Sequence, residues 1–90
     1  MLDQLKESPR RIAGTKQVTR AVEGGNIDIV FLADDADGFL RRRVLLLCEQ
    51  YSVEAVSGYT MKEIGEACKI KIGSAAAGIL KPPEATIDNG

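Results

Sequence analysis

Apolar residues recur along this chain with two periods, and their alternation sketches an architecture. Leu2, Leu5 and Ile12 predict a short first helix, broken or bent near Pro9, whose ring cannot continue a helix interior. After Gly14, Thr15 is placed to cap a second helix. Val18, Ala21 and Val22 then fall at i, i+3 and i+4, the spacing of one buried stripe, and Gly24-Gly25 ends the element. The run IDIVFLA, Ile27 to Ala33, is apolar nearly throughout and rich in β-branched residues, which suits a strand covered on both faces. Asp34-Asp35-Ala36-Asp37 follows as a turn and helix cap.

The pattern predicts a third helix from about Gly38 to Tyr51, with Leu40, Val44, Leu47, Cys48 and Tyr51 inward, then a second strand from Ser52 to Val56. Thr60 and Glu63, three apart, form a capping box that opens a fourth helix through Cys68. A loop, KIKIG, leads to a last strand of small residues in AAAGIL. Pro82-Pro83 stop it, and the tail from about residue 82 is expected to fray. Helices alternating with strands predict an α/β fold, a three-layer α/β/α sandwich with a small mixed central sheet. Ninety residues suit one domain spanning 1–90.

Composition narrows the functions open to such a domain. Twelve basic residues stand against thirteen acidic ones, a net charge of −1, which argues against coating nucleic acid by bulk charge. Any nucleic-acid contact must gather its cations in one place. Cys48 and Cys68 lie in apolar helical patterns, no CxxC pair occurs and histidine is absent, so a zinc site or a Cys–His nucleophile lacks its parts. The cysteines read as small buried hydrophobes of a reducing compartment. The N-terminal MLDQLKESPRR has no apolar core of signal type, and no run reaches membrane-spanning length, so a cytoplasmic location without membrane contact is expected.

Three features carry candidate chemistry. On the second helix Lys16 and Arg20 stack one turn apart, with Gln17 beside them, opposite Val18, Ala21 and Val22. All three polar residues sit near a helix start, where unpaired N–H groups and the dipole favour an anion, and their side chains match purine edges in donor pattern. A solvated polar face is the plain alternative. The DDAD turn places three carboxylates after a strand, a possible magnesium site, but acidic residues also cap the following helix and no metal-site partner set accompanies them. No metal is expected there. Arg41-Arg42-Arg43 point about 100° apart and cannot form one fork; the run reads as a solubilising face.

Taken together, GTKQVTR, ADDAD and IGEACKIKIGSAAAGI resemble the kink-turn-binding ribosomal family, the archaeal L7Ae and L30e proteins and their bacterial relatives. The resemblance covers about Ile12 to Leu80 with elements in the same order. In that family a Gly-x-Asn-Glu-x-x-Lys segment opens the second helix and contacts tandem sheared G·A pairs in a kinked RNA stem. Gly14 takes the place of the Gly, Lys16 of the Asn, Gln17 of the Glu and Arg20 of the Lys, with Thr15 between. The resemblance also implies an RNA contact at Asp37. Another falls in the loop Ile70-Lys71-Ile72, whose apolar side chains would pack against an extruded base.

The resemblance implies RNA binding without catalysis: no catalytic residues and no cofactor. The expected partner is a structured RNA with a kink-turn, ribosomal or otherwise, bound by a monomer. Lys16-Gln17 in place of Asn-Glu resembles bacterial members of the family. Gln offers a donor and an acceptor where Glu only accepts, so a guanine edge can still be met. Lys69 stands where the family usually has Gly, Gly73 where it often has Pro, and Gly38 where a helix-starting Pro is usual. Two other functions compete: a stand-alone recognition subunit of an RNA-modifying enzyme, and a protein-interaction module, which Leu46, off the buried stripe of the third helix, would favour. For Ile70 and Ile72 a plain strand with both side chains in the core is the competing structure.

Overall fold

In the computed structural model, which describes residues 1–83, the elements run α1 (Leu2–Glu7), β1 (Arg11–Ala13), α2 (Thr15–Glu23), β2 (Ile27–Leu32), α3 (Gly38–Gln50), β3 (Glu54–Val56), α4 (Met61–Ala67) and β4 (Ala76–Leu80). The sheet has the order β1-β4-β2-β3, with β4 antiparallel to both its neighbours and β2 parallel to β3. It is therefore mixed, and it is covered on both sides. On one side Val18, Ala21 and Val22 of α2 and Val44 and Cys48 of α3 pack against Val30, Leu32 and Ala76. On the other, Leu5 of α1 and Ile64, Ala67 and Cys68 at α4 pack against Ile29, Phe31, Ala33 and Ala77. This is a three-layer α/β/α sandwich, and β2 is apolar at nearly every position because both its faces are dry.

One detail of β2 departs from simple alternation. Ile27 and Ile29 are two apart yet enter opposite core layers. The register against β4 shifts between them, so one extra residue, Asp28, bulges out and turns Ile27 to the α2/α3 side.

Local pattern misplaced Ile12 and Tyr51. Ile12 belongs to a strand, not the first helix: α1 stops at Glu7, Ser8 before Pro9 is extended, and Arg11–Ala13 pair with Ile79–Ala77. That pairing partner lies far along the chain, out of reach of any periodicity. The Arg11 guanidinium bridges the break, donating to the carbonyls of Lys6 and Ser8. Tyr51 is not inward but 42% exposed, because α3 ends at Gln50 and the chain reverses at Ser52, φ +57°, before the helical stripe reaches it. The second strand shortens accordingly to Glu54–Val56. The two thiols are buried in opposite layers, Cys48 beneath α2 and α3 and Cys68 beneath α1 and α4, and burial pushes both pKa values up. At Cys68 the Arg11 charge opposes part of that rise. The tail expected to fray lies, from residue 84, outside the described residues.

Candidate nucleic-acid interface

The candidate residues lie far apart in sequence, and the sheet gathers their backbones. Gly14 directly follows β1, and its N–H donates to the Ala76 carbonyl at 2.9 Å. Ala76 opens β4 and is the register partner of Leu32, while Ala33 N–H donates to Ala75 at 2.8 Å. The start of α2, the loop preceding β4 and the turn after β2 therefore share one end of the sheet. Lys16, Gln17 and Arg20 are exposed on α2, and Thr15 is half-buried.

Thr15 is not the cap it was expected to be. Gly14 occupies that position with φ +106°, a left-handed conformation that lets the strand turn directly into the helix, and Thr15 is the first helical residue. Consequently no side chain caps α2. The next two helices differ: the Asp37 carboxylate accepts from Leu40 N–H at 3.0 Å, and Thr60 and Glu63 cap α4 reciprocally. The first-turn N–H groups of α2, beside Lys16 and Gln17, face outward with the positive end of the helix dipole. An anion or a base acceptor is the group such a terminus takes up.

The segment Ile70-Lys71-Ile72 is a loop. Ile72 is 75% exposed and Ile70 38% exposed, which removes the alternative of a core strand. Its shape follows from how α4 ends. Lys69 takes φ +62°, its N–H donates to Glu66 and the Ile70 N–H donates to Gly65, the paired bonds of a left-handed helix stop. Lysine thus performs the turn that glycine makes at lower cost. Gly65 lies directly under the loop: a Cβ there would collide with the Ile72 carbonyl oxygen and come within 3.0 Å of Gly73 Cα. The Ser74 N–H donates to Met61, tying the far side of the loop to the start of the same helix.

The acidic turn also acquires a structural task. Asp34 Oδ1 accepts from Gly58 N–H at 3.0 Å and Asp35 Oδ1 from Met61 N–H at 2.8 Å, so the turn after β2 clamps the turn after β3. With Asp37 capping α3, each of the three carboxylates is engaged with a backbone amide. Arg41 was missed as a contributor. Rather than simply solubilising the surface, its Nε donates to the Ala33 carbonyl at 2.9 Å, with Asp34 3.9 Å from its terminal nitrogen. Nothing local in an Arg-Arg-Arg run distinguishes the one that folds back. Gly65 was legible in principle, since an isolated glycine within a helical pattern signals a close approach. Among the described residues no cluster of three or more histidine, cysteine or acidic side chains is placed to hold a metal, and no helix is long and apolar enough to cross a membrane.

The fold is an α/β/α sandwich whose uncapped, lysine-bearing α2 start and exposed isoleucine loop lie at one end of a mixed sheet. Its lineage is specific. Residues 1–88 match the Ribosomal protein L7Ae/L30e/S12e/Gadd45 family, and the chain belongs to that family. It is 33% identical over 79 residues to the RNA-binding protein YbxF of Geobacillus stearothermophilus, covering 88% of this chain and 96% of that one. It is 35% identical over 69 residues to an RNA-binding protein of Caldanaerobacter subterraneus, covering 77% and 84%. In structure it is similar to a 15.5 kD RNA binding protein of Giardia lamblia, with TM-score 0.83 at 24% identity, covering 91% of this chain and 72% of that one. A protein of unknown function from Bacillus halodurans superposes with TM-score 0.78 at 21% identity, covering 89% and 80%.

Proposed function

We propose that this protein binds structured RNA at the sheet end where α2 begins, and that it recognises kink-turns through their tandem sheared G·A pairs. The observation that carries the reading is exposed Lys16 and Gln17 at an uncapped helix start, with exposed Arg20 in the last turn of the same short helix, at the sheet end that also holds an exposed isoleucine loop. The names of the relatives support RNA as the ligand. Lys16 and Gln17 read base edges, Arg20 adds a phosphate or guanine contact, and Ile70 and Ile72 cover an extruded base while Lys71 meets the backbone beside it. With a net charge of −1, shape and base edges supply much of the affinity. The function is binding without catalysis, in the cytoplasm, on ribosomal or other folded RNA.

The test measures affinity for a kink-turn stem and for the same stem with its G·A pairs made Watson–Crick. The Gln17→Ala variant should lose about 1–3 kcal/mol on the intact stem and little on the repaired one. Arg20→Ala should weaken both and lower the salt slope by about one unit. Val18→Ala, on the buried side of the same helix, should lower stability and leave the preference intact. If the Lys16→Ala and Gln17→Ala variants still tell the two stems apart as the wild type does, α2 is not the reader.

A further inference from the structure

The two phenylalanines of this chain have opposite fates. Phe31 is wholly buried, whereas Phe39, in the first turn of α3, is 74% exposed. Its surface neighbours three and four positions on are Arg42 and Arg43, both exposed, with Leu46 one turn further. Arg43 lines a groove of about 400 Å³ between α2 and α3, with Thr15, Thr19 and Glu23 of α2. On the outer shoulder of α2, beyond those threonines, stand Lys16 and Arg20.

Because β1 and β2 are parallel and each leads into its helix, α2 and α3 start at the same end of the sheet. Lys16 at the start of α2, Arg20 in its last turn, and Arg42 and Arg43 in the N-terminal half of α3 are therefore exposed cations on two neighbouring helices, and Phe39 lies one turn before the two α3 arginines. Acids reduce this charge without removing it: Glu23 lines the groove with Arg43, Glu49 lies beside Arg42, and Asp37 keeps its charge while it caps α3, so four cations stand against three carboxylates.

An exposed aromatic ring with two arginines one turn on along the same helix face suits an unpaired nucleotide: the base stacks on the ring face and its phosphates meet the arginines. A second copy of the chain fits poorly, since a two-fold contact centred on Phe39 would bring four arginines together. We propose that Phe39, Arg42 and Arg43 form a second RNA contact, in which Phe39 stacks on an unpaired nucleotide flanking the RNA element held at α2. This deepens the RNA-binding reading and rests on it.

The chain has no tryptophan, so F39W supplies a single fluorescent reporter at the site. Two RNAs are compared: a blunt kink-turn stem, and the same stem carrying single-stranded extensions. The extensions should tighten wild-type binding about five- to a hundred-fold. F39A should lose that gain, keep wild-type affinity for the blunt stem and melt as the wild type does. F39W should keep the gain, with its emission quenched by the extended RNA only. R42A and R43A should each lower the salt slope on the extended RNA by about one unit. Equal binding of extended RNA by F39A and wild type would overturn the proposal. So would RNA-independent, concentration-dependent changes in F39W emission, which would mean that a second copy covers the ring. A wild type that treats the blunt kink-turn stem and a plain duplex alike shows instead that the underlying reading has failed, and the second contact with it.

Discussion

Replacing Gly65 by alanine tests whether the loop that carries Ile70 and Ile72 rests on α4. Two terms of opposite sign compete. Within a helix, alanine is favoured over glycine by up to about 1 kcal/mol. Against this, the added Cβ would overlap the Ile72 carbonyl oxygen and lie 3.0 Å from Gly73 Cα and 3.2 Å from the Ile72 carbonyl carbon. These are backbone atoms, tied on one side by Ile70 N–H to Gly65 and on the other by Ser74 N–H to Met61, so no flexible side chain can yield. Overpacking of this kind costs about 1–3 kcal/mol, and with a clash against main chain the upper half of that range applies. The net is a loss of about 1–2 kcal/mol, or a fall in Tm of roughly 5–15 °C for a domain of this size.

Gly38 supplies the control, because it opens α3 with nothing near its Cβ position and no positive φ. Gly38→Ala should therefore gain a few tenths of a kcal/mol through helix propensity alone. Thermal unfolding followed by circular dichroism measures both. A Gly65→Ala variant that melts at or above the wild-type temperature would refute the packing of the loop on α4. With it would go the explanation of why the two isoleucines are held outward.

The remaining predictions concern the helix stop, the clamp and the thiols. Lys69→Gly should raise stability by about 0.5–1 kcal/mol in thermal melts, since glycine adopts φ +62° without the steric cost that lysine bears there. Asp35→Ala leaves the Met61 N–H without its acceptor at the start of α4 and should cost about 1–2 kcal/mol, while a calorimetric titration of the wild type with magnesium should show no specific site that this variant abolishes. Cys48 and Cys68 should react with a disulfide reagent in native protein far more slowly than in urea-unfolded protein, because both are buried and burial raises their pKa values. Rapid native labelling would show that one core layer opens readily.

Much of this molecule was written in local pattern. The stripe Val18, Ala21, Val22 is buried on α2 because helical spacing allows those three no other common neighbour than the sheet. The run of β2, apolar but for Asp28, announced a strand covered on both faces, and Thr60 with Glu63 announced the start of α4, since a capping box is satisfied within four residues. Asp37 is likewise a local cap. In each case the energetic partner lies within a turn or two of chain, so residue spacing alone carries the information.

Tertiary structure decided the rest, because the partners there are distant. Ile12 became a strand residue only through pairing with Gly78, and Arg41 turned to the Ala33 carbonyl only because the end of β2 lies beside it. Ser52 and Lys69 hold left-handed φ without being glycine because the returning chain, bonded at Val53 and Ile70, fixes the turn. The candidate interface is of this second kind. Helical periodicity put Lys16, Gln17 and Arg20 on one face, but the bonds from Gly14 to Ala76 and from Ala33 to Ala75 bring their helix to the end of the sheet where the isoleucine loop leaves α4. Pairing of β1 with β4 joins residues more than sixty positions apart, and no periodicity within one element records that distance.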